Sequence, residues 1–456
     1  MLSASLNLVL IVLGFSPSDD LAPLVDRLGS PRFVERESAE VALFRQGRSA
    51  LALLKAARNS KDLEVQSRAL SLIGKIESSL LFQPTMVPLD FSDVSVGRIL
   101  TKINDQSGLS LALNPPEIAT VQGRRITVKS LEPLPFWKAV DALCVAGELH
   151  YIPGAQVPFG QRDGTLLLHD GLTAGPESSS DFGPFRVLLN SVHYQSEIQL
   201  SDRRDQPFNG RRRLVSGGPE LRPVSPDAAR QLFLQLLVVS EPRLSIAQNG
   251  PPKLTVAIDD KGQSLLDPLN ATTYQMMAGY NGLNAAPVVR VRIDLSRPEV
   301  AGQKIRLIRG TIPVTVASRK SDPLEIPITG SAGKTFENDD VALSIQSYKP
   351  PVVGGTGSIE ISVTQQGPIP APLQAGAGEP LGYRPDTPQQ QIEIVDAEGK
   401  SLPWFPSGTF YNGEQTRLNL TIVSRGIPAV PATIRYHSMI RASTEIPFEF
   451  RNLPMP

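Results

Sequence analysis

Between residues 21 and 80 the apolar positions recur three and four apart. Leu21, Leu24, Val25 and Leu28 share one helix face, and a second helix is expected from Ser30-Pro31 to about Gln46, stopping at Gly47. Ala50, Leu53, Leu54 and Ala57 mark a third helix. Val65, Ala69, Leu72 and Ile76 mark a fourth, after the polar start Asn59-Ser60-Lys61-Asp62. From residue 85 the period changes. Val87, Leu89 and Phe91 alternate as in a half-buried strand, and Val96, Ile99, Leu100 and Ile103 return to helical spacing. Leu109, Leu111 and Leu113 alternate up to Pro115-Pro116, and Ile126 and Val128 form the next strand. Phe136, Ala139, Val140 and Leu143 line a second helix, expected to close at Gly147. His150–Ile152 and Thr165–His169 read as a hairpin. The order β-α-β-β-α-β-β predicts a small α+β domain over 85–170.

From residue 180 the pattern is short alternating strands divided by Gly, Pro and Asp, as in β-sandwiches. Two units are expected, 180–335 and 336–456, and they look alike. Thr255–Leu265 (TVAIDDKGQSL) parallels Ile392–Leu402 (IEIVDAEGKSL), each a strand, an acidic turn with Gly, then Ser-Leu. Arg290–Leu295 parallels Arg417–Thr421, and Ile312–Val316 parallels Ile446–Phe450. These offsets suggest an internal duplication. The expected fold class is therefore multidomain and mainly β: a short α-helical N-terminal segment over 19–80, the α+β domain, then two β-sandwich units.

Composition narrows the function classes. The 456 residues carry 45 Lys+Arg and 45 Asp+Glu, a balance that disfavours a dedicated nucleic-acid binder. The 36 Gly and 41 Pro lie above the usual share and fit a turn-rich β protein. Near the start, Leu6–Phe15 is an apolar run too short to span a bilayer, followed by Ser16 and Ser18. It reads as a signal peptide over 1–18, although the first basic residue is Arg27. The expected location is periplasmic or otherwise extracytoplasmic, with no integral span in the mature chain.

Two segments resemble known modules. Leu28-Gly29-Ser30, Phe33, Ala39, Leu43, Gly47, Leu54, Asp62–Val65, Arg68-Ala69 and Ile76 resemble a HEAT-like repeat. A solenoid needs about three stacked repeats, so a free-standing superhelix is not expected. Leu89-Asp90-Phe91, Ile99-Leu100, Gly108-Leu109, Ile126-Thr127-Val128, Ala142-Leu143, Gly147 and Leu166-Leu167-Leu168 resemble the secretin and TonB short N-terminal (STN) domain. That resemblance implies a periplasmic protein-docking module without catalytic activity. Nothing downstream shows the repeated lipid-facing alternation of a secretin gate or receptor barrel.

Candidate chemistry is sparse. The lone cysteine, Cys144, lies on an apolar helix without a basic neighbour and reads as a small buried hydrophobe. His150 and His169 fall on adjacent expected strands but lack a third ligand, so no metal and no cofactor is expected. Asp259-Asp260-Lys261-Gly262 reads as a turn, with too few acidic ligands for a calcium loop. Arg203, Arg204, Arg211, Arg212 and Arg213 concentrate positive charge between two expected strands, a candidate contact for an anionic partner such as lipid headgroups or an acidic protein. Residues 367–388 carry six prolines and are expected to form an exposed loop in the second sandwich. There is no G-x-S-x-G, H-E-x-x-H, Walker or dinucleotide motif, and no catalytic residue is assigned. The expectation is a non-enzymatic scaffold of the bacterial envelope that docks a protein partner through the STN-like module. The alternatives are a β-sandwich binder or accessory protein for envelope polysaccharide, and a component of a secretion-type assembly.

Overall fold

The structure is a computed structural model. It describes residues 21–114, 118–153, 165–171, 179–196, 230–266, 288–298, 300–320, 322–338, 340–352, 355–366, 391–412, 415–423 and 430–456. The signal segment 1–18, the five arginines from Arg203 to Arg213 and the proline-rich stretch 367–388 lie outside the described residues. The chain divides into two compact units, one ending at Phe82 and one spanning Gln83–Pro456.

The first unit is helical: α1 (Ala22–Arg27), α2 (Phe33–Gln46), α3 (Leu51–Ala57) and α4 (Leu63–Leu81), with a 3-10 turn at Gly47–Ala50. Leu28, Leu43, Leu54, Ala69, Leu72 and Ile76 are fully buried in one core. Asp62 caps α4, its Oδ1 accepting the amide of Glu64 at 2.9 Å. Arg68 binds Glu64 one turn back on α4 at 2.7 Å and reaches across to α2 at Glu37 (2.9 Å) and Glu40 (3.0 Å). The start of α2 falls later than the Ser30-Pro31 pair suggests. Ser30 Oγ accepts from the Arg32 amide and donates to Glu35 at 2.6 Å instead of capping the helix.

The second unit opens with the α+β module. Its elements are β1 (Met86–Val87), β2 (Asp90–Ser95), α5 (Val96–Ser107), β3 (Leu111–Leu113), α6 (Ile118–Val121), β4 (Arg125–Lys129), β5 (Leu134–Pro135), α7 (Phe136–Gly147), β6 (Leu149–Tyr151) and β7 (Leu166–Asp170). The seven expected elements occur in the expected order, with β1, α6 and β5 added as short insertions. β2 pairs with β4, β1 with β5, and β7 lies between β3, to which it is parallel, and β6. Helix α5 buries Val96, Ile99, Leu100 and Ile103 and ends at Gly108 in the left-handed conformation (φ 67°). Asn104 then pins β3 to that helix: its side chain donates to Leu111 O and accepts from Leu111 N, both at 2.9 Å. At the end of α7 it is Glu148, not Gly147, that takes the left-handed conformation (φ 50°). Gly147 is glycine for closeness: a Cβ there would lie 3.0 Å from Leu149 Cδ1.

The rest is β. In chain order the strands are β8 (Ser179–Phe182), β9 (Phe185–Ser196), β10 (Arg230–Ser240), β11 (Ser245–Asn249), β12 (Lys253–Asp259), β13 (Val288–Leu295), β14 (Lys304–Arg319), β15 (Leu324–Pro327), β16 (Thr335–Glu337), β17 (Val341–Lys349), β18 (Thr356–Gln365), β19 (Ile392–Val395), β20 (Trp404–Asn412), β21 (Gln415–Val423), β22 (Thr433–Tyr436) and β23 (Met439–Pro454). The first sandwich has one sheet in the order β13-β10-β9-β8. Its other sheet is built on β14, with β11 and β12 along one edge and β23 along the other. The second has a five-stranded sheet, β16-β17-β18-β21-β20, over a three-stranded one, β15-β22-β19. Leu343, Ile345, Ile359, Ile361 and Leu420 from the larger sheet and Ile394 and Ile434 from the smaller one bury together as its core.

The expected boundary at 335/336 does not hold. The last strand, β23, leaves the second sandwich and pairs with β14 of the first along its whole length, Lys304 opposite Pro454 and Arg319 opposite Met439. The same two chain segments pair again as β15 and β22, in the second sandwich. One antiparallel ribbon therefore runs through both. At sixteen residues each, β14 and β23 far exceed an ordinary strand. Their side chains explain the pairing: Ile446 sits opposite Ile312, and Phe448 fills the space over Gly310, where a Cβ would lie 3.0 Å from the ring.

The ribbon also decides the expected correspondences. Ile312–Val316 and Ile446–Phe450 are direct neighbours in one sheet rather than counterparts in two. The acidic turns, by contrast, are built alike. Asp259 N–H donates to Gln263 O, Gly262 N–H to Asp259 O and Leu265 N–H to Ala257 O. Asp396, Gly399 and Leu402 repeat the set with Lys400, Asp396 and Ile394. Gly262 and Gly399 take φ of 79° and 80°, which only glycine adopts freely. β13-β10-β9-β8 also matches β21-β18-β17-β16 strand for strand.

Candidate functional site

The α+β module meets the first sandwich through a buried charge. β9 carries the run Phe185-Arg186-Val187-Leu188, in which Arg186 is 2% exposed. Alternation turns Arg186 and Leu188 of β9, Leu237 and Val239 of β10 and Val288 of β13 to one face of the sheet. Leu188 and Val239 join the core of the module, with Leu237 and Val288 packed against it. Arg186 reaches over to α7. Its Nη1 and Nη2 donate to the two carboxylate oxygens of Asp141 at 2.6 and 2.7 Å, and its Nε and Nη2 donate to Asp181 at 2.6 and 2.9 Å. Tyr151 Oη accepts at 3.1 Å, and the guanidinium carbon lies 5.1 Å from the Trp137 ring centroid. Trp137 Nε1 donates to Pro184 O at 3.1 Å.

Burial opposes the charge of Arg186, but the hydrogen bonds it donates to Asp141 and Asp181 more than offset this and raise the guanidinium above its ordinary value. Burial likewise works to raise Asp181, yet Arg186 and then Lys138 hold that carboxyl below the usual range. Burial raises the Tyr151 hydroxyl. It also pushes the Cys144 thiol up to about 12, helped by the charge of Asp141. A thiol so disposed is a weak nucleophile at neutral pH. A second polar joint lies nearby: the fully buried Glu241 accepts from Thr85 N at 2.9 Å, Thr85 Oγ1 at 2.6 Å and Arg243 Nε at 2.9 Å.

Away from that joint, the module carries an open groove of about 600 Å³. Asp90, Phe91, Val94 and Ser95 of β2 form one wall, and Gly97, Arg98, Thr101, Lys102 and Asp105 of α5, with Gln122, form the rest. Gln122 lies just before β4 and its carbonyl accepts from Gly97 N at 3.0 Å; β4 is the only sheet partner of β2 among the described residues. β2 bulges between Phe91 and Val94. There Asp93 adopts φ 53° and binds Arg125 through two contacts at 2.8 Å. The hydrogen bond from Arg125 holds the Asp93 carboxyl below its usual range. The helix begins only after this bulge, with Ser95 as its N-cap. Above the groove floor Lys102 Nζ lies 5.3 Å from the Phe91 ring centroid.

The histidines sit where the pattern put them. His150 and His169 are direct partners on β6 and β7, their rings stacked at 5.4 Å. His150 Nδ1 donates to Gly171 O at 2.7 Å, and Asn114 Nδ2 donates to His169 Nδ1 at 3.1 Å. Among the described residues no group of three or more His, Cys, Asp or Glu is placed to hold a metal. Asp259 is fully buried, its Oδ1 accepting from the amides of Gln263 (2.7 Å) and Lys261 (3.0 Å) and its Oδ2 from Gly302 (2.9 Å). Burial works to raise this carboxyl, but the amides of Gln263, Gly302 and Lys261 outweigh it and keep the group below the usual range.

Arg186 and the groove were not singled out from the sequence. The one available signal for Arg186 was a lone charge inside the apolar run FRVLL, with Asp181 five residues before it. No helix among the described residues is long and apolar enough to cross a membrane. Comparison with family models, curated proteins and solved structures finds no match to this chain.

Proposed function

We propose that this chain is a non-catalytic, extracytoplasmic docking protein of the bacterial envelope. Its STN-like module receives an extended segment of a protein partner along β2, and its helical segment is HEAT-like. The β-sandwich units, read as copies of one duplicated unit, serve as a scaffold. The observation that carries the reading is the groove beside β2. A strand edge without a second sheet partner among the described residues, walled by a helix that offers Arg98, Thr101, Lys102 and Asp105, is suited to strand addition with side-chain selection. The Arg186 joint and the β14/β23 ribbon fit the same role, since they hold the module on a stiff support.

The test places a photo-crosslinking residue at exposed Thr101 in the full chain and compares it with one at Ser358, on the second sandwich. The expected result is a discrete adduct with an envelope protein from Thr101 alone, suppressed when Lys102 is replaced by Glu. Equal adducts from both positions, or adducts with cytoplasmic proteins only, would remove the reading. A periplasmic reporter fused after residue 20 tests export separately, and an inactive fusion would end that part of the proposal.

A further inference from the structure

The groove on the α+β module carries four charges that its own side chains do not neutralise. Asp90 starts β2, and Arg98, Lys102 and Asp105 line the groove from α5, at spacings of four and three residues. Lys102 and Asp105 are close enough along the helix to pair. Yet neither they nor Asp90 and Arg98 make an ion pair among the described residues. Around them the opposite holds: Asp93 binds Arg125, Asp170 binds Arg124 and Asp141 binds Arg186. Between the charges the lining is apolar, with Phe91 buried and Val94 half-buried.

The charges are sorted along the groove. Lys102 Nζ stands 5.3 Å from the Phe91 ring centroid, which sets the start of β2 beside the later turns of α5. Asp90 therefore lies toward Asp105, while the end of β2 at Ser95 leads directly into Gly97 and Arg98. One end of the groove is acidic, and its middle and other end are basic. Two cations against two anions leave no net charge. That balance gives no advantage to a polyanion such as a nucleic acid or an anionic lipid surface. It complements a ligand that carries both signs at a fixed separation.

Resting on the docking reading above, we propose that the extended segment received in this groove bears a basic and an acidic side chain two residues apart. The base meets Asp90 and Asp105, and the acid sits between Arg98 and Lys102. The spacing follows from the two periodicities. From midway between Arg98 and Lys102 to Asp105 is about 7.5 Å along the helix at ~1.5 Å per residue. Alternate side chains of an extended chain share one face and lie roughly 6.6 Å apart. Each exposed ion pair is weak alone, so selectivity comes from the four charges acting together and from repulsion of a segment with one sign only.

The experiment follows the fluorescence polarisation of four labelled peptides of about ten residues on the full chain. All have flanks of alternating threonine and valine, and their centres are Lys-Thr-Asp, Asp-Thr-Lys, Lys-Thr-Lys and Asp-Thr-Asp. At least one mixed peptide should bind about tenfold or more tightly than either uniform one. The double variant Asp90→Lys, Asp105→Lys should turn the preference to Asp-Thr-Asp, and Arg98→Asp, Lys102→Asp should turn it to Lys-Thr-Lys. Both should keep the native melting temperature, since all four side chains are exposed. A uniform peptide that binds the native chain as well as the mixed ones, or inverted variants that keep the native preference, overturns the proposal. If no peptide binds, the Thr101 crosslink decides. An adduct lost on either inversion supports the charge pattern. An adduct that persists through both overturns the pattern and leaves docking in place, whereas an adduct absent from the native chain removes both.

Discussion

β10 and β18 occupy matching places in the two sandwiches and teach different lessons. β10 reads RQLFLQLLVVS, apolar almost throughout, while β18 reads TGSIEISVTQ and alternates strictly. The difference is one of cover. The outward face of β10 lies beneath the α+β module, where Leu237 and Val239 meet its core. The outward face of β18 carries Ser358 and Glu360, both partly exposed, and Ser362, which is buried, and packs no hydrophobic side chain of the α+β module among the described residues. A sheet covered on both sides needs apolar residues at every position, and a sheet covered on one side needs them at every second position. One architecture has thus been adapted to two uses: a mount for a neighbouring domain, and a sheet with a polar outer face.

The sharpest way to break this comparison is at the buried charge. Arg186→Ala would take from Asp141 its bidentate cation and leave Asp181 with Lys138 alone, and breaking such a buried pair costs about 3–5 kcal/mol. The matching exposed pair, Arg417 and Glu360 at 3.9 Å, should be worth under about 1 kcal/mol. Denaturant unfolding of Arg186→Ala and Arg417→Ala measures both. Near-equal losses would mean that the module does not lean on the first sheet. A gentler version compares Val239→Ala, expected to cost about 2 kcal/mol for the lost methyls and the cavity, with Ser358→Val, expected to stay within about 0.5 kcal/mol. If Ser358→Val destabilised as much as Val239→Ala, the outer face of β18 would be covered after all.

How far this was legible depends on the range of the contact. Strand and helix positions follow from local alternation, so Ile99, Leu100 and Ile103 fall on α5 and Leu111 and Leu113 on β3 as their spacing requires. The matching turns at Asp259 and Asp396 are local too, and their likeness in sequence became likeness in hydrogen bonds. The path of β23 is not local. Its apolar alternation suits any sheet, and only the pairing of Ile446 with Ile312 and of Phe448 with Gly310 selects the first sandwich. The groove was hidden for a similar reason, since it arises where the bulge at Asp93 delays the helix.

The smallest effect compares the two acidic turns. Both aspartates accept the two turn amides, Asp259 from Lys261 and Gln263, Asp396 from Glu398 and Lys400. Asp259 has a third donor, Gly302, which ties the turn to the segment leading into β14, and Asp260 adds a bond from Gln303 at 3.0 Å. Replacing either aspartate with Asn keeps one acceptor oxygen, so the turns should survive. Asp259→Asn should lower the melting temperature by several degrees, and Asp396→Asn by less. For Asp259 a pH dependence follows. The folded carboxyl of Asp259 lies below its unfolded value, so its contribution is present in full above the unfolded pKa of roughly 3.9 and fades as pH falls through the folded one. The gap between native chain and Asp259→Asn should therefore be constant from neutral pH to about 5 and narrow below about 4. A gap that widened with acid would show that the amides of Gln263, Gly302 and Lys261 do not hold the charged form, and the two turns would differ only in burial.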